Sequence, residues 1–234
     1  RTVLYALALA MVIRFTIAQP FRIPSGSMQP TLEVGDYILV TKWSYGYGRY
    51  SFAPLEGLVP GGRFLGREPE RGDIVVFRPS PHLDKDFVKR LIGLPGDRVQ
   101  MIDGRLFING VAVERESLGL QPFEEADGRI DEITTWRETL PNGGPTYLTF
   151  DRLRDGDYDS TRVFLVPEGH YFMMGDDRDN SEDSRTLEVD FVPYENLVGP
   201  AQMVIASFDG TTSVFKPWTL ITGFRSGRFL HPLE

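Results

Sequence analysis

Val99-Gln100-Met101-Ile102-Asp103-Gly104-Arg105-Leu106-Phe107-Ile108-Asn109-Gly110-Val111-Ala112-Val113 places two turn dipeptides inside one apolar run. Asp103-Gly104 and Asn109-Gly110 both accept the positive φ angles of a tight type I′ turn, whose twist matches the strands it joins. The stretch therefore reads as short antiparallel strands folding back on one another. Working outward, the same pattern recurs in Tyr37-Ile38-Leu39-Val40, Ile74-Val75-Val76-Phe77, Phe87 to Ile92, Val163-Phe164-Leu165-Val166 and Met203 to Phe208. Each is a short run rich in Val, Ile and aromatics, bounded by Gly, Pro or Asp. A mainly β body follows. Residues 114–160 are acidic, rich in Gly and Asp and weakly periodic, and predict an inserted smaller β subdomain.

One segment breaks the β pattern. Val3 to Ala18 is almost unbroken hydrocarbon, interrupted by Arg14 and Thr16. As a helix of about 18 residues it reaches roughly 27 Å, close to the thickness of a bilayer core. Arg14 lies about one turn before Pro20, where its stem can run along lipid while the guanidinium reaches the headgroups. Residues 1–20 are therefore expected to be a transmembrane helix and the lipid bilayer a partner. A removable signal peptide ending at Thr16-Ile17-Ala18 and a buried core helix are the other readings, and Arg14 spoils the first. The chain opens on Arg1 rather than Met, so a preceding segment, with room for a second span, is expected.

The chain has 234 residues, with 25 Lys and Arg against 33 Asp and Glu, a net charge of -8. Such a balance repels phosphate and excludes nucleic acid as a partner. Cysteine is absent, which removes disulfides and thiolate metal sites, and His82, His170 and His231 have no metal-ligand spacing. Asp177, Asp179, Ser181, Asp183 and Glu188 fall at the offsets of a calcium loop, but Glu182 occupies the sixth position, where the turn needs glycine. No metal or cofactor is expected.

Pro24-Ser25-Gly26-Ser27-Met28-Gln29-Pro30-Thr31-Leu32 sets a candidate nucleophile about seven residues after Pro20, at most roughly 25 Å of extended chain from the membrane surface. A serine needs a base, and histidine is scarce. Lys89, in Asp86-Phe87-Val88-Lys89-Arg90-Leu91-Ile92-Gly93, is the best candidate. On a strand, Phe87, Lys89 and Leu91 share one face, and Val88, Arg90 and Ile92 the other. A free lysine is neutral in only about one molecule in two thousand at pH 7, and burial among apolar side chains removes most of that cost. The alternatives are a Lys-Arg pair facing solvent and, for Pro24 to Ser27, a plain turn.

Four segments, Ser27 to Leu32, Gly35 to Val40, Lys89 to Asp97 and Gly175-Asp176-Asp177-Arg178-Asp179-Asn180-Ser181-Glu182-Asp183-Ser184-Arg185, occur in this order after the apolar run. Together they resemble bacterial type I signal peptidase, from the membrane helix to about Phe208. The resemblance implies that Ser27 is the nucleophile and Lys89 the general base. It implies that Ser181 hydrogen-bonds the lysine amine and that the Ser25 hydroxyl and Ser27 N–H form an oxyanion hole. Asp176, Asp183 and Arg185 are implied supports, with Arg90 paired to Asp176. Asp177 stands where the family usually has Asn, an extra carboxylate that would oppose a neutral lysine unless Arg178 compensates it.

By the same resemblance Phe21, Ile23, Met28, Leu32, Ile38, Val76, Phe87 and Val88 wall two shallow pockets for small side chains, although several could be plain core. The implied function is a membrane-anchored serine endopeptidase. Its substrates would be signal peptides of secretory preproteins, cut after Ala-x-Ala sites on the outer (periplasmic) side of a bacterial inner membrane. Its catalytic β domain would comprise 21–113 and 161–210, with 114–160 inserted and 211–234 a membrane-proximal tail. Toward the C-terminus Phe208, Phe215, Trp218 and Phe224 read either as an interfacial patch or as core. Two other functions stay open: a dedicated Ser/Lys maturation protease with one substrate, and a non-catalytic membrane-tethered domain that binds extended peptides.

Overall fold

The computed structural model describes residues 17–52, 62–63, 66–209 and 218–233, together with positions 2, 5 and 212. Most of the apolar run from Val3 to Ala18 lies outside the described residues. Among the described residues no helix is long and apolar enough to cross a membrane. The structure moves one expected boundary: Ala18, Gln19 and Pro20 do not end a helix but begin a strand, β1 (Ala18–Arg22), whose backbone pairs with Thr41, Val40 and Leu39 of β2 (Asp36–Thr41). Pro20 is tolerated because β1 is an edge strand.

The body is β, in three antiparallel sheets. The largest runs β1-β2-β14-β3-β4-β12-β13 with β15 added to β14, where β3 is Ile74–Phe77, β4 is Phe87–Gly93, β12 is His170–Met174, β13 is Val192–Pro193, β14 is Leu197–Ser207 and β15 is His231–Pro232. The meander expected from Val99 to Val113 forms β5 (Arg98–Ile102), β6 (Arg105–Ile108) and β7 (Val111–Ala112), joined by β11 (Phe164–Leu165) in a four-stranded sheet. Its turns carry the positive φ angles the dipeptides promised, 47° and 71° at Asp103-Gly104 and 56° and 80° at Asn109-Gly110. Residues 114–151 build the third sheet from β8 (Glu114–Glu124), β9 (Ile130–Thr139) and β10 (Thr146–Asp151).

Both faces of the large sheet are covered, because β3 is buried at all four positions. Val76 packs with Ile23, Met28, Leu32, Ile38 and Val204 on one face. Val75 and Phe77 pack with Leu91, Tyr171 and Met173 on the other. A third cluster joins Ile92 and Phe172 to Val99, Met101, Leu106 and Ile108 of the meander. In the tail, Phe208 and Phe224 pack ring on ring at 5.6 Å, Trp218 is exposed, and Phe215 lies outside the described residues.

Candidate active site

The turn between β1 and β2 carries Ser27, pinned from below by Met28 and Leu32, both fully buried. Backbone bonds close the turn, from Gln29 N to Gly26 O at 2.9 Å and from Leu32 N to Met28 O at 2.8 Å. Lys89 sits mid-way along β4, opposite Val75 of β3, and is 4% exposed. Its Nζ lies 2.6 Å from Ser27 Oγ. Burial pulls the Lys89 amine down to about 8, against the opposing pull of Asp183, Glu182 and Asp176. A buried amine held near neutrality, within hydrogen-bond reach of a hydroxyl, can act as a general base.

Two buried ion pairs frame the contact. Arg90, on the opposite face of β4 from Lys89, is fully buried rather than turned to water. It donates from Nε and Nη2 to the two oxygens of Asp176, each at 2.9 Å, and stacks 3.9 Å over the Tyr147 ring. Thr31, just beyond the Ser27 turn, adds a 2.5 Å hydroxyl bond to the same carboxylate. Arg185 forks onto Asp183, and Asp183 Oδ2 also accepts from Gly175 N at 3.0 Å. Burial works to raise the Asp183 carboxyl, and the Arg185 charge overrides it, holding it below its ordinary value. Gly175 itself has no room for a side chain, since a Cβ there would run into the Ser27 carbonyl and the Ser181 hydroxyl.

A family model for signal peptidase, peptidase S26, matches residues 1–206. The chain belongs to the S26 signal peptidase family. It is a serine endopeptidase of that family, and the assignment supports signal-peptide cleavage. Signal peptidase I of Rickettsia typhi is 44% identical over 208 residues, covering 86% of this chain and 76% of that protein. The Rickettsia canadensis protein of the same name is 45% identical over the same shares. A solved signal peptidase I from Enterococcus faecalis is 31% identical over 57% of this chain and 97% of that one, with a TM-score of 0.32.

Ser27 and Lys89 open into a cavity of about 740 Å³ lined by Ser25, Ser27, Phe87, Val88, Lys89 and Ser181 among others. The hydroxyl of Ser181 is buried without a partner of hydrogen-bond geometry, so it does not bond the lysine amine as expected; it only weakly favours the ionised Asp183. Of the eight residues expected to wall the substrate pockets, Phe87 and Val88 line the cavity. Ile23, Met28, Leu32, Ile38 and Val76 lie in the packed core beneath it, and Phe21 rests against that core.

Arg178 is not the partner of Asp177. It forks onto Glu138 of β9, at 3.0 and 2.6 Å, and Asp177 pairs instead with Arg152, Nε to Oδ2, at 2.7 Å. Neither Glu138 nor Arg152 carries a signal in the sequence, since both lie in the weakly patterned 114–160 stretch. The calcium-loop offsets are likewise spent on other partners. Asp179 accepts from the backbone N–H groups of Arg152 and Leu153, and Asp183 is taken by Arg185. Among the described residues no three His, Cys, Asp or Glu side chains gather to hold a metal ion.

Proposed function

We propose that this peptidase removes N-terminal signal peptides from exported preproteins after Ala-x-Ala sites, with Ser27 as nucleophile and Lys89 as general base. The observation that carries the reading is the 2.6 Å contact between a buried amine and a serine hydroxyl at the wall of an open cavity. Neutral Lys89 takes the Ser27 proton as Oγ attacks the scissile carbonyl carbon. The C–N bond then breaks, the proton passes from Lys89 to the leaving amine, and an acyl-enzyme remains on Ser27. Water, deprotonated by the same lysine, attacks that ester and frees the signal peptide. The Ser27 N–H and the Ser25 hydroxyl are assigned to the developing oxyanion.

The apolar run from Val3 to Ala18 is assigned as the anchor that keeps the cavity beside the outer face of a bacterial inner membrane. Phe87 and Val88 give that cavity an apolar wall suited to small side chains. The test is incubation of a preprotein bearing an Ala-x-Ala site with the detergent-solubilised chain, with the product identified by mass. One cut after the second alanine is expected, abolished when that alanine is replaced by a bulky residue. Cleavage indifferent to that residue would contradict the reading.

A further inference from the structure

Behind the nucleophile turn lies a cluster that the dyad chemistry does not use. Asp177 is fully buried, its N–H donates to the Ser27 carbonyl at 3.2 Å, and its Oδ1 has no partner. Arg152, one residue past β10, meets this carboxylate through Nε, donates through Nη2 to Gln29 Oε1 at 2.9 Å, and donates through Nη1 to Glu125 Oε1 at 2.7 Å. Gln29 is buried two residues after Ser27 and bonds Glu125 in turn. One guanidinium thus joins three chain segments around the nucleophile, with all three of its nitrogens committed.

We propose that Arg152 is a positioning residue for Ser27, which fixes the nucleophile turn by neutralising the buried Asp177 carboxylate and clamping Gln29. The proposal rests on the dyad reading above. Arg178 cannot substitute for it, because its fork is closed on Glu138. Asp179, of like charge, and the neutral Asn180 also bear on Asp177, while Lys89 is faced by Asp183, Glu182, Asp176 and Arg185. Removing one member of a buried pair strands the other, and the harm appears only while the survivor is ionised. Burial holds the Asp177 carboxyl up near 6 with Arg152 in place. Loss of the cation moves it higher, so the penalty must grow as pH rises.

The experiment compares kcat and KM for preprotein cleavage by the parent chain, R152Q and R152Q/D177N across about pH 6 to 9, with Ser27→Ala as the inactive control. R152Q should lose kcat by about threefold or less at the acid end and about tenfold or more at the alkaline end, with KM nearly unchanged. R152Q/D177N, which removes the fully buried carboxylate and leaves only the part-exposed Glu125 without its cation, keeps the fold if R152Q does not and should recover the pH-dependent part. A loss that is equal at every pH and survives D177N, or no loss at all, overturns the proposal. A parent chain that does not cut, or cuts as well without Ser27, fails the dyad reading itself.

Discussion

Lys89 is where fold and chemistry pull in opposite directions. Holding its amine at about 8 instead of 10.5 means that a protonated Lys89 destabilises the fold at pH 7. The cost is about 3 kcal/mol less what the Ser27 contact returns. The folded value lies below the unfolded one, so the penalty is full below about 8 and disappears as pH rises toward the unfolded value. Lys89→Met should therefore be inactive yet more stable than the parent by about 2 kcal/mol near pH 7. Urea titrations should show that gap closing between about pH 8 and 10.5. A variant less stable than the parent at neutral pH would mean that burial does not pull the Lys89 amine down.

At the scale of elements, β4 serves two faces, with Lys89 toward the cavity and Arg90 toward Asp176 at the start of the Gly175–Arg185 loop. Both partners of this pair are buried, so Asp176→Ala should strand the Arg90 charge and destabilise the protein by about 3 to 5 kcal/mol, measured by urea unfolding. A change within about 0.5 kcal/mol would place the pair in water. The alternation that puts Lys89 opposite Arg90 was legible from a period of two, as were β3 and the turns of the meander. That Arg90 would be buried was not, because periodicity separates faces without saying whether each is dry. The ribbon of β8 and β9 was illegible for a related reason. β8 is largely exposed on both faces, carries Gly119 and Pro122 and alternates hydrophobics only at Leu118 and Leu120, so pairing with β9 rather than burial defines it. In β14, Gly199 and Pro200 interrupt the run from Leu197, which hid the half that pairs with β3.

At the scale of the whole molecule, Ser27 comes from the turn after β1, Lys89 from β4 and the buried acids Asp176 and Asp183 from the loop after β12, and the third sheet and the residue that follows it close the site through Glu138 and Arg152. The residues that meet at Ser27 and Lys89 could be named from four short motifs. Their outer brace could not, since Arg152, Glu125 and Glu138 lie far from those motifs and acquire a role only when β10 docks beside Asp177. In the proposed mechanism this assembly lets Lys89 deprotonate Ser27. The most direct test is the rate of preprotein cleavage from about pH 6 to 10 for the parent chain beside folded Ser27→Ala and Lys89→Ala variants. The parent should gain activity as pH rises through about 8, and both variants should lose about 10³-fold or more at every pH. A Lys89→Ala variant that keeps the parent's rate and pH profile would contradict the account.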